Sequence, residues 1–444
     1  MKLRSWLSTC SSAISTATSG DSAASFQSPP PKSDTSSTFS DSQTHSSSSS
    51  TSSIQSNLSL LTLPSVPSLQ KLTLSPQNDA ASDPPATTAV LLTSLCTGNR
   101  RAAHINFLAV HNNLLYAAAG NEINVYEIIN NTLIDTFNVE KVPTGGSVKS
   151  IAFSGGKIFT AHQDCKIKVW KLINDGKKHG HKLVAVLPTL EDRLRNFLLP
   201  RNYVRVRRGK KKLWIQHHDA VSGLATWQHE NRVLSISWDK SIKIWQASRD
   251  CCQCLESVNR AHNDAINAVV ISRDGLIYTG SADKRIKVWK KNEGKKFKYG
   301  LIATLEKHKS AVNALALDPD GSVLFSGSCD RSILVWERED SANHMAVTGA
   351  LRGHDRAILC LINVRDLLLS GSGDRTVRIW RRGFDGRFCC LTVLDGHRTP
   401  VRSLAAVVAD DGGAVKVFSG SFDGEIKVWR VEVAGVKTIS LLNF

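Results

Sequence analysis

The sequence lacks any run approaching the ~20 consecutive apolar residues that a membrane span requires, so we expect a soluble protein. It begins with Lys2 and Arg4 but lacks the continuous apolar segment of a secretory signal. A nucleophile elbow, a Walker loop and a metalloprotease signature are also missing. We therefore expect a protein of the cytoplasm and/or nucleus, rather than of a chloroplast or mitochondrion, that is not an enzyme and holds no cofactor.

The sequence also lacks a paired set of cysteines with the spacing of a zinc site. Cys251-Cys252-x-Cys254 is the one cluster with metal-like spacing, and no second pair stands at a matching distance. Cys389-Cys390 occupies the equivalent stretch after the Trp of a later repeat, which indicates that both clusters are strand and hairpin residues of one recurring element. Ten cysteines without a secretory signal are typical of a reducing compartment, and we expect no metal ion.

Glutamate is absent from the chain until Glu122, and the first part of the chain is instead rich in Ser, Thr and Pro. Residues 1–86 include the serine run 46–50, and such a segment buries too little apolar surface to offset its chain entropy, which predicts a disordered tail. A leucine-rich island at 58–74 interrupts this tail. It is either a short motif that docks on a partner or on the folded domain, or simply a loosely apolar stretch.

Basic residues outnumber acidic ones, with 56 Lys and Arg against 39 Asp and Glu. Residues 1–100 hold five of each sign, so the whole formal excess of +17 lies in residues 101–444. A folded domain with this excess attracts acidic partners, whether peptide, nucleic acid or lipid phosphate.

The folded part repeats itself. Six segments share an Asp followed six residues later by Trp, and a degenerate seventh copy, Gly120–Tyr126, precedes them. The six segments are Asp164–Trp170, Asp239–Trp245, Asp283–Trp289, Asp330–Trp336, Asp374–Trp380 and Asp423–Trp429. Five of the six intervals between copies are 44 to 49 residues and one is 75, which fits the ~40–45-residue blade of a propeller.

In each repeat, turn-forming residues separate four short segments that are predicted to be antiparallel strands. In the repeat that ends at Trp289, strands are predicted at 265–271, 276–281, 286–289 and 301–305, with tight turns at 273–275 and 282–284. A ring of such sheets avoids open edges by pairing its two termini in one blade. Either Thr88–Leu95 or Val436–Leu442 supplies that strand, and the repeat spacing favours the first.

The pattern Gly-His…Ser-Gly-Ser-x-Asp…Val-Trp resembles WD-repeat proteins across nearly all of residues 88–444. The resemblance implies an all-β fold, a seven-bladed β-propeller spanning 87–444 behind the disordered tail. Within that family, the leader Leu63–Leu69 and the insertion Pro200–Arg208 with Leu213–Ile215 are similar to plant Jingubang-type proteins. That similarity implies a plant scaffold in growth or germination signalling.

The recurrent His and Asp residues are interpreted as structural. A His before the first strand is expected to bridge a hydroxyl of the second strand and the Asp of the following turn, with the Trp behind. Two such sets are His262, Ser281, Asp283 and Trp289, and His354, Ser372, Asp374 and Trp380. An active site occurs once, whereas these sets recur, so no catalytic residue is assigned.

The residue after the repeat Asp is basic in four consecutive repeats: Lys240, Lys284, Arg331 and Arg375. If these residues lie on tight turns at one rim, they form a positive arc that binds acidic partners. The alternative is that they are ordinary solvated turn residues.

The 75-residue interval contains a basic insertion at about 191–216. Its candidate binding residues are Arg201, Arg205, Arg207, Arg208, Lys210, Lys211 and Lys212, beside Arg193 and Arg195. It is interpreted as a partner-binding arm, as a nuclear-localisation patch at 205–212, or as an inert loop. Tyr203 and Trp214 flank the cations, and a nucleic-acid binder would use such rings for stacking.

The sequence thus favours a monomeric scaffold for acidic or phosphorylated protein partners. A nucleic-acid-binding propeller is possible but not favoured, because no recognised RNA-binding module accompanies the cations. A ubiquitin-ligase substrate receptor is a further alternative, weakened because no repeat Trp is followed by the Asp that such receptors usually carry.

Overall fold

The computed structural model describes residues 87–96, 104–139, 146–174, 179–207, 210–227, 230–248, 252–292, 294, 298–338, 345–383, 385–409 and 413–433. The predicted tail at 1–86, with its island at 58–74, and the alternative closing strand at 436–442 lie outside these residues. No helix in the described part of the chain is long and apolar enough to cross a membrane.

The described strands form seven four-stranded antiparallel sheets, called blades here, and one two-stranded hairpin. A strand that precedes the first blade is β1 (Thr87–Cys96). Blade 1 contains β2 (Ile105–His111), β3 (Leu114–Ala119), β4 (Glu122–Glu127) and β5 (Leu133–Phe137). Blade 2 contains β6 (Val148–Ser154), β7 (Lys157–His162), β8 (Ile167–Asn174) and β9 (His179–Leu187).

An insertion follows blade 2, with helix α1 (Leu190–Phe197), a 3-10 turn (Pro200–Asn202) and a hairpin of β10 (Tyr203–Arg207) and β11 (Lys210–Leu213). Blade 3 contains β12 (Val221–Thr226), β13 (Arg232–Ser237), β14 (Ile242–Gln246) and β15 (Cys254–Val258). Blade 4 contains β16 (Ile266–Ile271), β17 (Ile277–Ser281), β18 (Ile286–Lys291) and β19 (Tyr299–Leu305).

Blade 5 contains β20 (Val312–Leu317), β21 (Val323–Ser328), β22 (Ile333–Arg338) and β23 (Met345–Leu351). Blade 6 contains β24 (Ile358–Val364), β25 (Leu367–Ser372), β26 (Val377–Arg382) and β27 (Phe388–Leu394). Blade 7 contains β28 (Val401–Val408), β29 (Ala414–Ser421) and β30 (Glu425–Val433), and β1 completes it as the fourth strand. The four strands predicted for blade 4 are confirmed to within two residues at each end.

The blades are arranged in a closed ring. The first strand of every blade contacts the first strands of both neighbours, and the series runs from β2 through β6, β12, β16, β20, β24 and β28 back to β2. The ring closes in blade 7, where β1 pairs antiparallel with β30 from Thr87↔Val433 to Cys96↔Glu425. The N-terminal closing strand favoured from the repeat spacing is therefore confirmed.

The core lies between the blades rather than within one central mass. The buried apolar residues form seven clusters, and each cluster joins two adjacent blades. Phe159 of blade 2 packs with Trp245 of blade 3, for example, and Phe418 of blade 7 packs with Leu115 of blade 1. Because every blade buries both faces, its strands carry apolar residues on both sides, as the sequence pattern predicted.

Candidate functional site: the turn face and its inserted arm

One rim of the ring carries the tight turn between the second and third strands of every blade, and we call this rim the turn face. The loop that leads from one blade into the next lies on the same rim, because its His contacts the Asp of that turn. In blade 4 the two atoms, His262 Nδ1 and Asp283 Oδ2, are 2.9 Å apart. The turn face is therefore built from two loops of each blade that hold each other in place.

Each tight turn forces one residue into the left-handed backbone region. Asp283 Oδ1 accepts a hydrogen bond from the N–H of Arg285 at 3.0 Å, which bends the chain at the residue between them, Lys284. The residue in this position has φ between 70° and 83° in blades 2 to 7: Cys165, Lys240, Lys284, Arg331, Arg375 and Gly424. The left-handed region costs a non-glycine residue about 1 kcal/mol. The four cations predicted for tight turns therefore do lie there, in a strained conformation.

The four turn cations are not equally available to a partner. Lys284, Arg331 and Arg375 are exposed, and within the described residues none of the three side chains makes a hydrogen bond or an ion pair. Lys240 is half-buried, and its ammonium donates a hydrogen bond to the carbonyl oxygen of Asn263 in the next blade. Three of the four predicted turn cations, in blades 4, 5 and 6, are therefore exposed without a hydrogen bond or ion pair among the described residues, whereas Lys240 is engaged.

The insertion between blades 2 and 3 leaves the ring on the turn face. The last residue of β9, Leu187, pairs with Ile167, the first residue of β8 after the tight turn of blade 2. We call residues 188–216 the inserted arm. It contains α1, which the sequence analysis missed, although Thr189 and Asp192 form a capping box that signals a helix start.

The inserted arm is fixed to the ring by its C-terminal end. Leu213 and Ile215 are buried in the core cluster between blades 2 and 3. The fully buried Lys243 of blade 3 donates hydrogen bonds to the carbonyl oxygen of Trp214 and to Ser257 Oγ, the latter at 2.6 Å. The arm is therefore an anchored structure rather than a loose loop.

Four cations of the inserted arm face solvent. Arg201, Arg205, Lys211 and Lys212 are exposed, and no hydrogen bond or ion pair engages their side chains within the described residues. Arg205 stands directly opposite Lys211 in the hairpin, and like charges in that position destabilise a ladder. Arg208 lies outside the described residues, and only the backbones of Arg207 and Lys210 are described. An anionic partner would relieve this repulsion.

The two aromatic rings that flank the cations of the arm serve its own packing. Tyr203 and Trp214 are half-buried against the core cluster between blades 2 and 3. Tyr203 donates a hydrogen bond to the carbonyl oxygen of Phe197 at 3.1 Å, and Trp214 Nε1 donates to Asn196 Oδ1 at 3.2 Å. Neither of these two rings stands free as a platform for a base, whereas Phe197 of α1 is 63% exposed.

The recurrent His sets form hydrogen-bonded networks inside the blades. In blade 4, His262 Nε2 lies 2.8 Å from Thr279 Oγ1, and Trp289 Nε1 donates to the same hydroxyl at 2.9 Å. A carboxylate can only accept, so His262 Nδ1 carries the proton that it shares with Asp283. The same bonds recur around His217 in blade 3, His308 in blade 5 and His354 in blade 6. The networks satisfy buried polar groups, which supports the structural interpretation.

The hydroxyl predicted for each network was wrong by two residues. His262 contacts Thr279, not Ser281, and His354 contacts Ser370, not Ser372. Both hydroxyls of a pair lie on one side of the second strand, because side chains alternate along a strand. The one nearer the turn, Ser281, instead accepts the backbone N–H of Asp283 at 3.1 Å. The imidazole reaches past it to the deeper hydroxyl.

The turn carboxylates are held ionised. Burial opposes ionisation of Asp283, but hydrogen bonds from His262 and from the backbone N–H groups of Asn263 and Arg285 outweigh it and lower its pKa to about 2. The pKa values of Asp239, Asp330 and Asp374 are lowered too, against the same opposing effect of burial. The networks therefore keep a fixed negative charge beneath each of these turns.

Blades 2 and 7 depart from this network. In blade 2, His162 at the end of the second strand takes the place of the missing loop His, with Nε2 2.8 Å from Thr160 Oγ1. In blade 7, His397 Nδ1 and Asp423 Oδ2 are buried and have no hydrogen-bond partner in the described part of the chain.

His397, Asp423 and Glu425 nevertheless lie close together, with one potential metal-ligand atom of each within 4.8 Å of the others. Burial lowers the pKa of His397 to about 4, so its imidazole is neutral near pH 7. However, the Lys427 ammonium lies 3.2 Å from a Glu425 oxygen. That positive charge disfavours a bound cation, and the group does not make a convincing metal site.

The two cysteine clusters lie in equivalent fourth strands. Cys254 pairs with Trp245 across β14 and β15, and Cys390 pairs with Trp380 across β26 and β27. Cys251 lies outside the described residues. Burial raises the pKa of Cys254 to about 12, which makes its thiolate hard to form. Cys252 lies in the connection before β15, so the prediction that the clusters are strand and hairpin residues of one recurring element is confirmed for the described cysteines.

Comparison with protein families agrees with the repeat. Five segments match the family described as "WD domain, G-beta repeat": residues 209–246, 252–290, 300–337, 346–381 and 388–430. These segments contain the repeat tryptophans of blades 3 to 7. Blades 1 and 2 lie outside the matched segments, and blade 1 is the blade that lacks the repeat Asp and Trp.

Curated relatives match parts of the chain. "Protein ROOT INITIATION DEFECTIVE 3" of Arabidopsis thaliana is 31% identical over 167 residues, which are 35% of this chain and 37% of that protein. "Ribosome biogenesis protein WDR12 homolog" of Drosophila erecta is 30% identical over 148 residues, 29% of this chain and 35% of that protein. "Ribosome biogenesis protein ytm1" of Neosartorya fischeri is 24% identical over 234 residues, 49% of this chain and 43% of that protein. The chain thus spans less than half the length of these relatives.

Proposed function

We propose that this seven-bladed WD-repeat β-propeller is a non-catalytic scaffold that binds acidic or phosphorylated protein partners on its turn face. The observation that carries the proposal is the row of exposed, unpaired cations on consecutive blades, Lys284, Arg331 and Arg375. The inserted arm adds Arg205 and Lys211 on the same rim.

The energetic cost of this arrangement supports a binding role. Each turn cation occupies a left-handed conformation that glycine adopts without strain, and Gly424 shows that the fold accepts glycine in this position. Lys284 directly follows Asp283 in the sequence, but the carboxylate of Asp283 is engaged by His262 instead. A carboxylate- or phosphate-bearing segment lying across three blades would meet one cation on each.

The experiment is a charge reversal. The triple variant Lys284→Glu, Arg331→Glu and Arg375→Glu is titrated against a fluorescein-labelled peptide of alternating Glu and Ser, with and without phosphorylation of the serines, by fluorescence anisotropy in 150 mM salt. Each exposed pair contributes about 0.5–1 kcal/mol, so binding should weaken by about 10- to 100-fold. The phosphorylated peptide should bind more tightly than the unphosphorylated one to the native protein.

A matched control reverses the same amount of charge elsewhere. Lys171, Lys290 and Lys291 are exposed residues that follow the repeat Trp, at the other end of the third strand. Their reversal to Glu should leave binding within twofold of the native value if the turn face is the site. Equal losses in the two triple variants would mean that net charge alone drives binding, and the proposal would be wrong.

The cellular process is proposed separately from the binding mode. Growth or germination signalling in a plant stays the prediction made from the Jingubang-type resemblance, and a relative named for root initiation in Arabidopsis thaliana fits a plant developmental role. A second candidate is a place in ribosome assembly, because two relatives that match the repeats are named for ribosome biogenesis. The second candidate places the protein in the nucleus.

Gradient sedimentation separates the two processes. The tagged full-length chain is expressed in plant cells, and extracts are fractionated with and without ribonuclease. Co-sedimentation with large ribosomal precursors that ribonuclease abolishes would support ribosome assembly. A chain that stays in light fractions under both conditions would leave signalling as the supported process.

A further inference from the structure

Helix α1 of the inserted arm is amphipathic, but its apolar side faces solvent, whereas an ordinary surface helix buries its apolar side. Its apolar residues Leu190, Leu194 and Phe197, followed by Leu198, are 77%, 70%, 63% and 80% exposed. They recur at a spacing of four, three and one residues, which places them along one side of the helix. A surface helix normally buries such a stripe.

The polar side of α1 faces the protein. Asp192 is buried and closes the capping box with Thr189. Asn196 accepts hydrogen bonds from Trp214 Nε1 at 3.2 Å and from Asn202 Nδ2 at 3.1 Å, and its own amide donates to the carbonyl oxygen of Asp192. The two contacts from outside the helix, with Trp214 and Asn202, therefore fix the rotation of the helix and hold its apolar stripe toward solvent.

We propose that the apolar stripe of α1 is a docking site for an acidic amphipathic helix of a protein partner. The proposal rests on the proposed function, and it adds that the partner presents leucine-like side chains at helical spacing between its acidic residues. A contiguous exposed apolar patch rimmed by polar groups marks an interaction surface. An apolar anchor also supplies affinity that exposed ion pairs alone do not.

Charge complementarity selects this occupant. The 3-10 turn and β11 both contact α1, and they carry Arg201, Lys211 and Lys212, while Arg205 pairs with Lys211. These four cations are exposed and unpaired within the described residues, whereas Glu191 is engaged by Arg195. The rim of the patch is thus strongly positive. A second copy of the chain would bring the same cations together, which disfavours self-association. An acidic amphipathic helix complements both features, because its apolar side chains pack on the stripe and its carboxylates pair with the cations around it.

The test uses the full chain and a synthetic 16-residue peptide with Leu at helical i, i+3, i+4, i+7 spacing and Glu elsewhere. The variant Leu194→Ser with Phe197→Ser removes the centre of the stripe at exposed positions, so the fold should be preserved, as thermal unfolding will show. Peptide binding should weaken at least tenfold. A peptide of the same composition in scrambled order should bind at least tenfold more weakly, and the double substitution should not change its affinity.

The matched control is Leu301→Ser with Ile302→Ser on β19, two neighbouring apolar residues that are 47% and 45% exposed. Equal losses with both double variants, or no loss with Leu194→Ser and Phe197→Ser, would overturn the proposal. Tight binding to phosphatidylserine vesicles, lost in the same variant while the peptide does not bind, would assign the stripe to a membrane instead. Concentration-dependent dimerisation lost in that variant would assign it to a second copy.

The turn-face charge reversal keeps the two proposals apart. If that triple variant binds the phosphorylated Glu-Ser peptide normally, the proposed function fails at the turn face whatever α1 does. If it loses that peptide while the stripe variant still binds the amphipathic peptide like the native chain, the proposed function stands and the inference fails.

Discussion

The hydrogen-bond network of blade 6 offers a test of which hydroxyl supports the repeat tryptophan. Ser370 is fully buried, and its Oγ accepts a hydrogen bond from Trp380 Nε1 at 2.8 Å. It also lies 2.8 Å from His354 Nε2. Replacing Ser370 by Ala leaves two buried nitrogen atoms without this partner, at about 1–3 kcal/mol each. We expect Ser370→Ala to lower the free energy of unfolding by about 2–6 kcal/mol.

A double-mutant cycle isolates the contact with the indole. Trp380→Phe keeps an aromatic ring but removes the N–H, so in this background Ser370→Ala no longer leaves an unpaired donor on the ring. The cost of Ser370→Ala should therefore shrink by about 1 kcal/mol, which is the coupling energy of the pair. Urea unfolding followed by circular dichroism measures each of the four free energies.

Ser372 provides the matched control within the same strand. Its hydroxyl donates to the carbonyl oxygen of Arg356 at 3.1 Å and accepts the N–H of Asp374 at 3.2 Å, and neither bond involves the indole. Ser372→Ala should cost stability too, but its coupling to Trp380→Phe should stay below about 0.5 kcal/mol. A coupling for Ser372 as large as that for Ser370 would refute the assignment of the hydroxyls.

Three further outcomes follow from the structure. Burial lowers the pKa of His397 to about 4, so below pH ~6.5 the unfolded chain binds a proton that the folded chain does not bind. About 3 kcal/mol of stability should therefore be present above pH 6.5 and be lost as the pH falls to 4. His397→Gln should flatten that decline in urea titrations. Deleting residues 1–96, which removes β1 and opens the edge of β30, should lower the melting temperature and promote aggregation on size-exclusion chromatography, whereas deleting 1–86 should change neither. Lys284→Gly should raise stability by up to about 1 kcal/mol in thermal unfolding by relieving the left-handed strain, and should weaken binding of the acidic peptide; a destabilised variant would contradict the strain argument.

The ring architecture was predictable because its determinant is repeated. Each interval between repeat tryptophans encodes one sheet with apolar residues on both faces, and such sheets bury those faces only against one another. The spacing of Thr88–Leu95 to the next unit favoured this segment as the closing strand but left the C-terminal alternative open, and the pairing of β1 with β30 decides it. A departure from the pattern in one repeat does not change the predicted fold, because the other repeats show the same pattern independently.

The hydroxyl contacts were not predictable from one sequence. Thr279 and Ser281 both precede Trp289, by ten and eight residues, and the same two positions carry hydroxyls in blades 3, 5, 6 and 7. Periodicity places both on one side of the strand and does not say which of them the imidazole reaches. That choice depends on the height of the loop His above the strand, which is a tertiary feature.

The orientation of α1 could not be predicted from the sequence, for a different reason. Its stripe of Leu190, Leu194 and Phe197 would by itself predict a helix packed against the core. The polar anchors that turn it outward, Asn202 and Trp214, come later in the insertion, and their bonds to Asn196 exist only once the hairpin has folded back. A capping box was a visible signal for the helix, but no local signal specifies which side faces solvent.

Two departures from local rules lie together on one rim of the described structure, and their proximity strengthens the argument for function. Cations in the left-handed backbone conformation, such as Lys284, lower stability in a turn position where Gly424 shows that the fold accepts glycine without that strain. The stripe of α1 exposes apolar surface that folding would otherwise bury. Neither feature improves the ring, whose seven cores and closing strand are complete without them. Sequences that are consistent elsewhere tend to break local rules at functional sites. Since both costs fall on the turn face and its inserted arm, a ligand that meets positive charge and apolar surface together accounts for both.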